Sequence, residues 1–282
     1  MTAQLIDGKQ VAAQLRQDIA HRVATLPFQP GLAVVLVGED PASQVYVRAK
    51  DRAAREAGLS ARTIRLPADT TQAELLAHIH HLNQDDSVDG ILVQFPVPKH
   101  IDQRAVILAI DPAKDVDGLH PQNIGRLVDG SAHLIACTPR GAMKLLEAAK
   151  VKLSGKRALV LGRSQLVGKP IAQLLLAEDA TVTVAHSRTV NLPDECRRAE
   201  VIIAAIGKPE FVRGDWLSEG VVVIDVGINR LADGRLVGDV AFEEARHVAQ
   251  AITPVPGGVG PMTIACLLEN TLIAGLGRRG RK

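Results

Sequence analysis

Ala158-Leu-Val-Leu-Gly162-Arg-Ser164-Gln-Leu-Val-Gly168 is a short apolar run that breaks into a glycine-bounded loop and leads into an apolar helical segment. A strand that turns directly into a helix aims free backbone N–H groups and the positive end of the helix dipole at one point, where a phosphate can sit. The dinucleotide fingerprint is Gly-x-Gly-x-x-Gly. Gly162 fills its first place, Ser164 stands at the second, Val167 at the third, and Gly168 comes one residue late. Ser164 is small enough to admit a phosphate and its hydroxyl adds a donor. Spacing alone leaves both a cofactor loop and a structural turn open.

The end of the next strand is more informative. An NAD site places Asp or Glu about 20 residues on, against the ribose hydroxyls. Here the strand Thr181–Ala185 ends in His186-Ser187-Arg188-Thr189, with no acid. Ser187 and Arg188, helped by Arg163, can donate to a 2′-phosphate that an acid would repel, so the cofactor expected is NADP.

Around this loop the chain alternates apolar strand-like runs with amphipathic helices, the pattern of parallel α/β architecture. Expected strands are Leu32–Val37, Thr63–Leu66, Gly90–Phe95, Arg157–Leu161, Thr181–Ala185, Val201–Ala205 and Val221–Val226. Helices are expected near 9–24, 41–57, 71–83, 102–109 and 139–150, after Val167, and over Pro261–Leu276. Asp40 can cap the helix at 41–57, Pro41 suits its first turn and Gly58 its end. The reading is two α/β domains: 1–139, completed by the C-terminal helix (about 260–282) packing back on it, and 140–259, a Rossmann-like NADP-binding domain.

Composition narrows the function classes. With 282 residues, 46% of them hydrophobic, and a net charge of +2, nothing suggests a nucleic-acid groove or a membrane face. No signal-like start is visible and no window is expected to approach a membrane span. Cys137, Cys196 and Cys266 are scattered, which suits buried thiols in a reducing cytoplasm and excludes a paired-cysteine zinc site. His78, His80 and His81 lie on a polar helix, so no metal is expected. The Gly-Arg-Arg-Gly-Arg-Lys terminus reads as a frayed, solvated tail. Aromatics are scarce, and the lone Tyr46 sits four residues before Lys50, so both project from one helix face. Gln94 falls at the C-terminal end of an apolar strand, where ligands of open α/β sheets gather.

Six segments, in order, resemble the methylenetetrahydrofolate dehydrogenase/cyclohydrolase family: Tyr46-x-x-x-Lys50, Gly90-Ile-Leu-Val-Gln-Phe-Pro-Val-Pro98, Lys114-Asp-Val-Asp-Gly-Leu-His-Pro121, Cys137-Thr-Pro-Arg-Gly141, Gly162-Arg-Ser-x-x-Val-Gly168-x-Pro170 and Pro256-Gly-Gly-Val-Gly-Pro-Met-Thr263. They span nearly the whole chain without an added synthetase domain. Phe95 and Leu119 stand where the family also uses other apolar residues. The resemblance implies NADP-dependent oxidation of 5,10-methylene-tetrahydrofolate and hydrolysis of the methenyl product to 10-formyl-tetrahydrofolate in one cleft. It also implies a homodimer in one-carbon metabolism and purine biosynthesis. By position, Lys50 manages protons in the hydrolysis and Gln94 orients it. Tyr46 stacks on the folate, Asp117 accepts hydrogen bonds from the pterin, and Pro256, Gly257, Gly258 and Val259 line the folate cleft. Ile228 touches the cofactor through its backbone. The alternatives are a dehydrogenase without the hydrolysis, an NADP dehydrogenase of a small hydroxy or amino acid, and a nucleotide-sensing binding module.

Overall fold

The computed structural model describes residues 2–280. In chain order the elements are β1 Gln4–Leu5, α1 Gly8–Ala24, β2 Gly31–Val37, α2 Pro41–Glu56, β3 Ser60–Leu66, α3 Gln72–Gln84, β4 Gly90–Val93, α4 Gln103–Ala109, α5 Pro121–Asp129 and α6 Cys137–Ala148. There follow β5 Arg157–Leu161, α7 Gly168–Ala177, β6 Thr181–Ala185, α8 Leu192–Arg198, β7 Val201–Ala204, β8 Val222–Asp225, β9 Asn229–Arg230, β10 Leu236–Val237, α9 Phe242–Ala245, β11 Ala251–Ile252 and α10 Val259–Arg279.

The chain divides into two compact units. One comprises Gln14–Cys137 and the C-terminal stretch from Ile264, around a parallel sheet ordered β3-β2-β4. The other comprises the N-terminal stretch through Ala13 together with Thr138–Thr263, around a parallel sheet ordered β1-β11-β8-β7-β5-β6. This division runs from Cys137 to Thr138 at one boundary and groups the N-terminal stretch through Ala13 with the later residues. Gln4 and Leu5 pair with Ala251 and Ile252, so the first residues join the six-stranded sheet. Two-residue strands in a polar stretch carry no readable periodicity.

Burial explains the sequence pattern. The inner strands β2, β7 and β8, and β4 at the edge of the three-stranded sheet, are buried at every residue, as continuous Val/Ile/Leu runs covered on both faces must be. Edge strands β3 and β6 are largely open. Strand β4 stops at Val93, two residues before the expected Phe95, where the chain enters the cis bond Phe95–Pro96. Helix α2 starts as anticipated: the Asp40 carboxylate accepts from Ser43 N at 2.7 Å, Pro41 opens the first turn, and Gly58 follows the end at φ +79°.

Two expectations about the C-terminus are corrected. Helix α10 reaches a mean hydropathy of 1.4 over an 18-residue window, so a span-like segment does exist; two thirds of that window is buried within the protein, as in a soluble core helix. The terminal arginines are not a frayed tail either. Arg278 Nη1 donates to Asp89 Oδ1 at 2.8 Å and to Val88 O at 2.6 Å, while Arg279 bonds both Asp89 oxygens at 2.9 and 2.7 Å. The fully buried Asp89 also accepts from Gly31 N at 2.9 Å, so α10 is riveted to the start of β2. A buried carboxylate demands this pairing. Arg281 and Lys282 lie outside the described residues.

Candidate active site and nucleotide pocket

In the three-stranded unit, α2 carries Tyr46 and Lys50 one turn apart, with Tyr46 about half exposed (51%). Lys50 points back to the sheet, where its Nζ donates to Gln94 Oε1 at 2.9 Å. Gln94 is held in turn, because its Nε2 donates to Phe95 O at 2.7 Å and its backbone N to Val35 O at 2.8 Å. The amide therefore presents its oxygen, not its nitrogen, to the lysine. Burial lowers the Lys50 pKa by stripping water from the ammonium, and the nearby Asp117 carboxylate partly restores it. The cause is dehydration within the apoprotein, before any cationic substrate is bound. Burial likewise pushes Asp117 up to about 6, opposed by Lys50 and reinforced by Asp115.

The two acids of Lys114-Asp-Val-Asp-Gly separate in role. Asp115 is structural: its Oδ2 accepts from His120 N at 2.8 Å and Asn123 Nδ2 at 2.9 Å. Lys114, buried, donates to Leu82 O and Asp85 O at the end of α3, at 3.0 and 2.8 Å. Gly118 sits at φ +72°, and a Cβ there would lie 2.4 Å from Ala136 N. Behind the turn, Asn270 Nδ2 donates to Val116 O and Ile135 O, both at 2.8 Å. Asp117 is left facing Lys50 and the Cys137 thiol, whose own pKa burial raises well above the ordinary thiol range. Lys114, Asp115, Cys137 and Asn270 escaped sequence reasoning as supports, because a buried lysine or asparagine looks like a surface one until its partners are known.

In the six-stranded unit, the loop after β5 works differently from the fingerprint. Gly162 adopts φ +115°, and a Cβ there would lie 2.2 Å from Ala205 O. A Cβ on Gly168 would lie 2.2 Å from Gly162 O, so Gly168 supplies the close helix–strand packing that the fingerprint assigns to its third glycine. Ser164 Oγ accepts from Val167 N at 3.1 Å and Gly168 N at 3.3 Å. This corrects the expectation that the loop's N–H groups stay free for a phosphate: two of them, at the start of α7, donate to the serine hydroxyl.

Gly162, Arg163, Ser164, His186, Ser187, Thr189, Lys208, Phe211 and Trp216 are among the residues lining a cavity of about 480 Å³. No carboxylate is among the described residues of its wall, and the lysine and arginine suit a polyanion. Ser187 belongs to this wall, and Arg188 beside it is exposed in a turn tied by His186 N to Thr189 Oγ1 at 2.9 Å. Ile228 is half exposed (52%) just after β8. The Pro256–Val259 loop begins with the cis bond Val255–Pro256, and Gly257 and Gly258 leave room for Gly8, where a Cβ would lie 1.8 Å from Gly258 O. Thus Tyr46, Lys50, Gln94 and Asp117 belong to one unit, and Gly162, Arg163, Ser164, Ser187, Arg188, Ile228 and the Pro256–Val259 loop to the other.

Residues 6–117 match the tetrahydrofolate dehydrogenase/cyclohydrolase catalytic domain and residues 136–278 its NAD(P)-binding domain. The chain belongs to this family. A bifunctional protein FolD of Acidiphilium cryptum is 68% identical over 99% of this chain and 100% of its own length. The Campylobacter jejuni FolD crystal structure superposes with a TM-score of 0.96 at 47% identity, covering 98% of this chain and 99% of that one. The Trypanosoma brucei FolD, solved with NADP cofactor and inhibitor, gives 0.95 at 41% identity over 100% of both chains. The loop with its offset glycine lies within the stretch that matches the NAD(P)-binding domain.

Proposed function

We propose that the chain oxidises 5,10-methylene-tetrahydrofolate with NADP and hydrolyses the resulting methenyl cation to 10-formyl-tetrahydrofolate, with Lys50, Gln94, Tyr46 and Asp117 serving the folate and the Gly162 loop the nucleotide. The observation that carries this reading is the Lys50–Gln94 hydrogen bond beside a partly protonatable Asp117. A bound NADP would accept a hydride from the methylene carbon; Gly162, Arg163, Ser164, Ser187, Arg188 and Ile228 would hold it. The chain's part in that step is positioning.

Hydrolysis needs proton management. Water adds to the methenyl carbon while the Lys50 amine takes one of its protons, which a lysine with a lowered pKa can do near neutrality. As the carbon–nitrogen bond on the pteridine side breaks, the ammonium returns a proton to that nitrogen and the hydroxyl proton leaves to solvent. Gln94 keeps the lysine aimed, Asp117 accepts from the amino-pyrimidinone edge, and Tyr46 stacks on the flat part of the folate. The Pro256–Val259 loop completes the folate contacts.

The fit to NADP over NAD rests on the acid-free wall and on Ser187 and Arg188 at the end of β6. A homodimer is supported by the open edge of β6, with Val184 40% exposed, and a reducing cytoplasm by three buried free thiols. Ten-formyl-tetrahydrofolate would then be a formyl donor to purine biosynthesis. The deciding experiment mixes the protein with 5,10-methylene-tetrahydrofolate and NADP and follows the methenyl species and its decay. Formation without accelerated decay would leave a dehydrogenase alone, and no NADPH formation would refute the whole reading.

A further inference from the structure

Behind the nucleotide cavity lies a pair of buried carboxylates that the reaction does not use. Asp239 is fully buried in the turn after β10, and Asp225, also buried, ends β8. Asp239 Oδ2 accepts from Ile206 N at 2.6 Å and Gly207 N at 2.9 Å, and its Oδ1 from Lys208 N at 2.9 Å. Three consecutive N–H groups thus converge on one carboxylate, a concavity suited to an anion. Ile206 and Lys208 line the cavity, and the adjoining Ala205 is the residue whose carbonyl forbids a side chain at Gly162.

The same Oδ1 accepts from Asn229 Nδ2 at 2.9 Å, the residue after Ile228. Asp225 completes the frame, accepting from Gly227 N at 3.0 Å, Asp239 N at 2.9 Å and Val240 N at 2.9 Å. Glycines make room for both carboxyls: a Cβ on Gly227 would lie 2.3 Å from Asp239 Cγ, and one on Gly238 would lie 1.9 Å from Asp225 Oδ2. No cation is hydrogen-bonded to either carboxylate among the described residues; backbone N–H groups and one amide do all the compensation. A carboxylate holding several N–H groups is a strong, directional tie. Burial raises the Asp225 pKa to about 7, so one of the two acids can become neutral and relieve their repulsion.

We infer that Asp239 is a positioning residue for the dinucleotide: it ties the 206–208 wall and the 227–229 loop to one carboxylate, so that the cavity and the backbone at Ile228 are presented in fixed register. This rests on the NADP reading given above. Asp239 acts through these two loops and need not touch the nucleotide itself. An amide at position 239 would keep the shape but turn an N–H group toward N–H donors, so D239N should loosen both loops together.

The test uses the chain's own reporter, because Trp216, its single tryptophan, lines the cavity and can transfer excitation to bound NADPH. The Kd for NADPH is titrated for the parent and for D239N, alongside hydrolysis of methenyl-tetrahydrofolate without cofactor and kcat for oxidation at saturating NADP. The expected result is a Kd raised at least fivefold, with hydrolysis and saturated kcat each reduced less than the affinity. A rise below fivefold, or an equal fall in all three, overturns the positioning role. Should D239N not fold, N229A decides, because it unties the 227–229 loop from Asp239 Oδ1 and from Gly238 O while leaving the 206–208 contacts in place: at least a twofold loss of NADPH affinity supports the tie and a smaller change refutes it. A parent that neither binds NADPH nor hydrolyses methenyl-tetrahydrofolate would instead refute the enzymatic reading beneath it.

Discussion

Around Lys50 the proposed work is done by side chains: an amine and a carboxyl whose proton affinities burial has shifted toward one another, and an amide that holds the amine. Around Gly162 it is done by backbone and by the absence of side chains, since a single added carbon would meet Ala205 O at 2.2 Å. The first region should therefore be sensitive above all to changes of charge, and the second to changes of shape as well as of charge. Chemistry needs groups that give and take protons, whereas a diphosphate needs donors, positive charge and room.

The comparison breaks first, and most visibly, at Lys50. K50M should cut methenyl hydrolysis by about 10²–10⁴-fold, the usual worth of a positioned acid–base group, while oxidation of the methylene substrate falls much less. Undiminished hydrolysis would remove Lys50 from the mechanism. On the other side, G162A should raise the NADPH Kd by about 10–100-fold, since overpacking and a positive φ each cost on the order of 1–2 kcal/mol. Hydrolysis measured without cofactor should survive that substitution, and if it is lost equally the two regions are not separable.

A smaller effect sharpens the electrostatic half. Asp117 is held up to about 6, so it protonates as pH falls through that value and not in the ordinary carboxylate range near 4. In the proposed function the ionised form accepts hydrogen bonds from the pterin edge. The KM for methylene-tetrahydrofolate should therefore rise below pH 6, by roughly tenfold per unit once well below it, and be flat above. In D117N this pH dependence should vanish and KM stay high throughout; an unchanged profile would detach Asp117 from the substrate. The smallest change concerns the Ser164 hydroxyl. S164A removes the acceptor for Val167 N and Gly168 N and should cost about 0.5–2 kcal/mol of stability in urea denaturation. Bound NADP should recover part of that loss if a phosphate can stand in for the hydroxyl.

Much of both regions was legible. Lys50 and Tyr46 are one helical turn apart, Gln94 ends an apolar strand, and the missing acid after β6 favoured a phosphorylated ribose, all from spacing and residue type. Other residues misled because their partners are distant in the chain. Ser164 read as a substitute for glycine and its hydroxyl holds Val167 N and Gly168 N at the start of α7; Arg278 and Arg279 read as a solvated tail and rivet Asp89, 189 and 190 residues away. Asp225 and Asp239 had no signal at all, because aspartates in turns after strands are ordinarily solvated.

The sequence by itself determined the alternation of strands and helices, the glycine-bounded strand-to-helix turn and the motif residues, because periodicity, capping and glycine requirements are local. Only the tertiary structure decided which polar groups are buried and what holds them: Asp115 as a strut against Asp117 with its raised pKa, Asp89 as an anchor, Asp239 as a tie between two loops. Burial and hydrogen-bond partnership are properties of the packed chain. The same carboxylate in water and in a nest of N–H groups is a different chemical group.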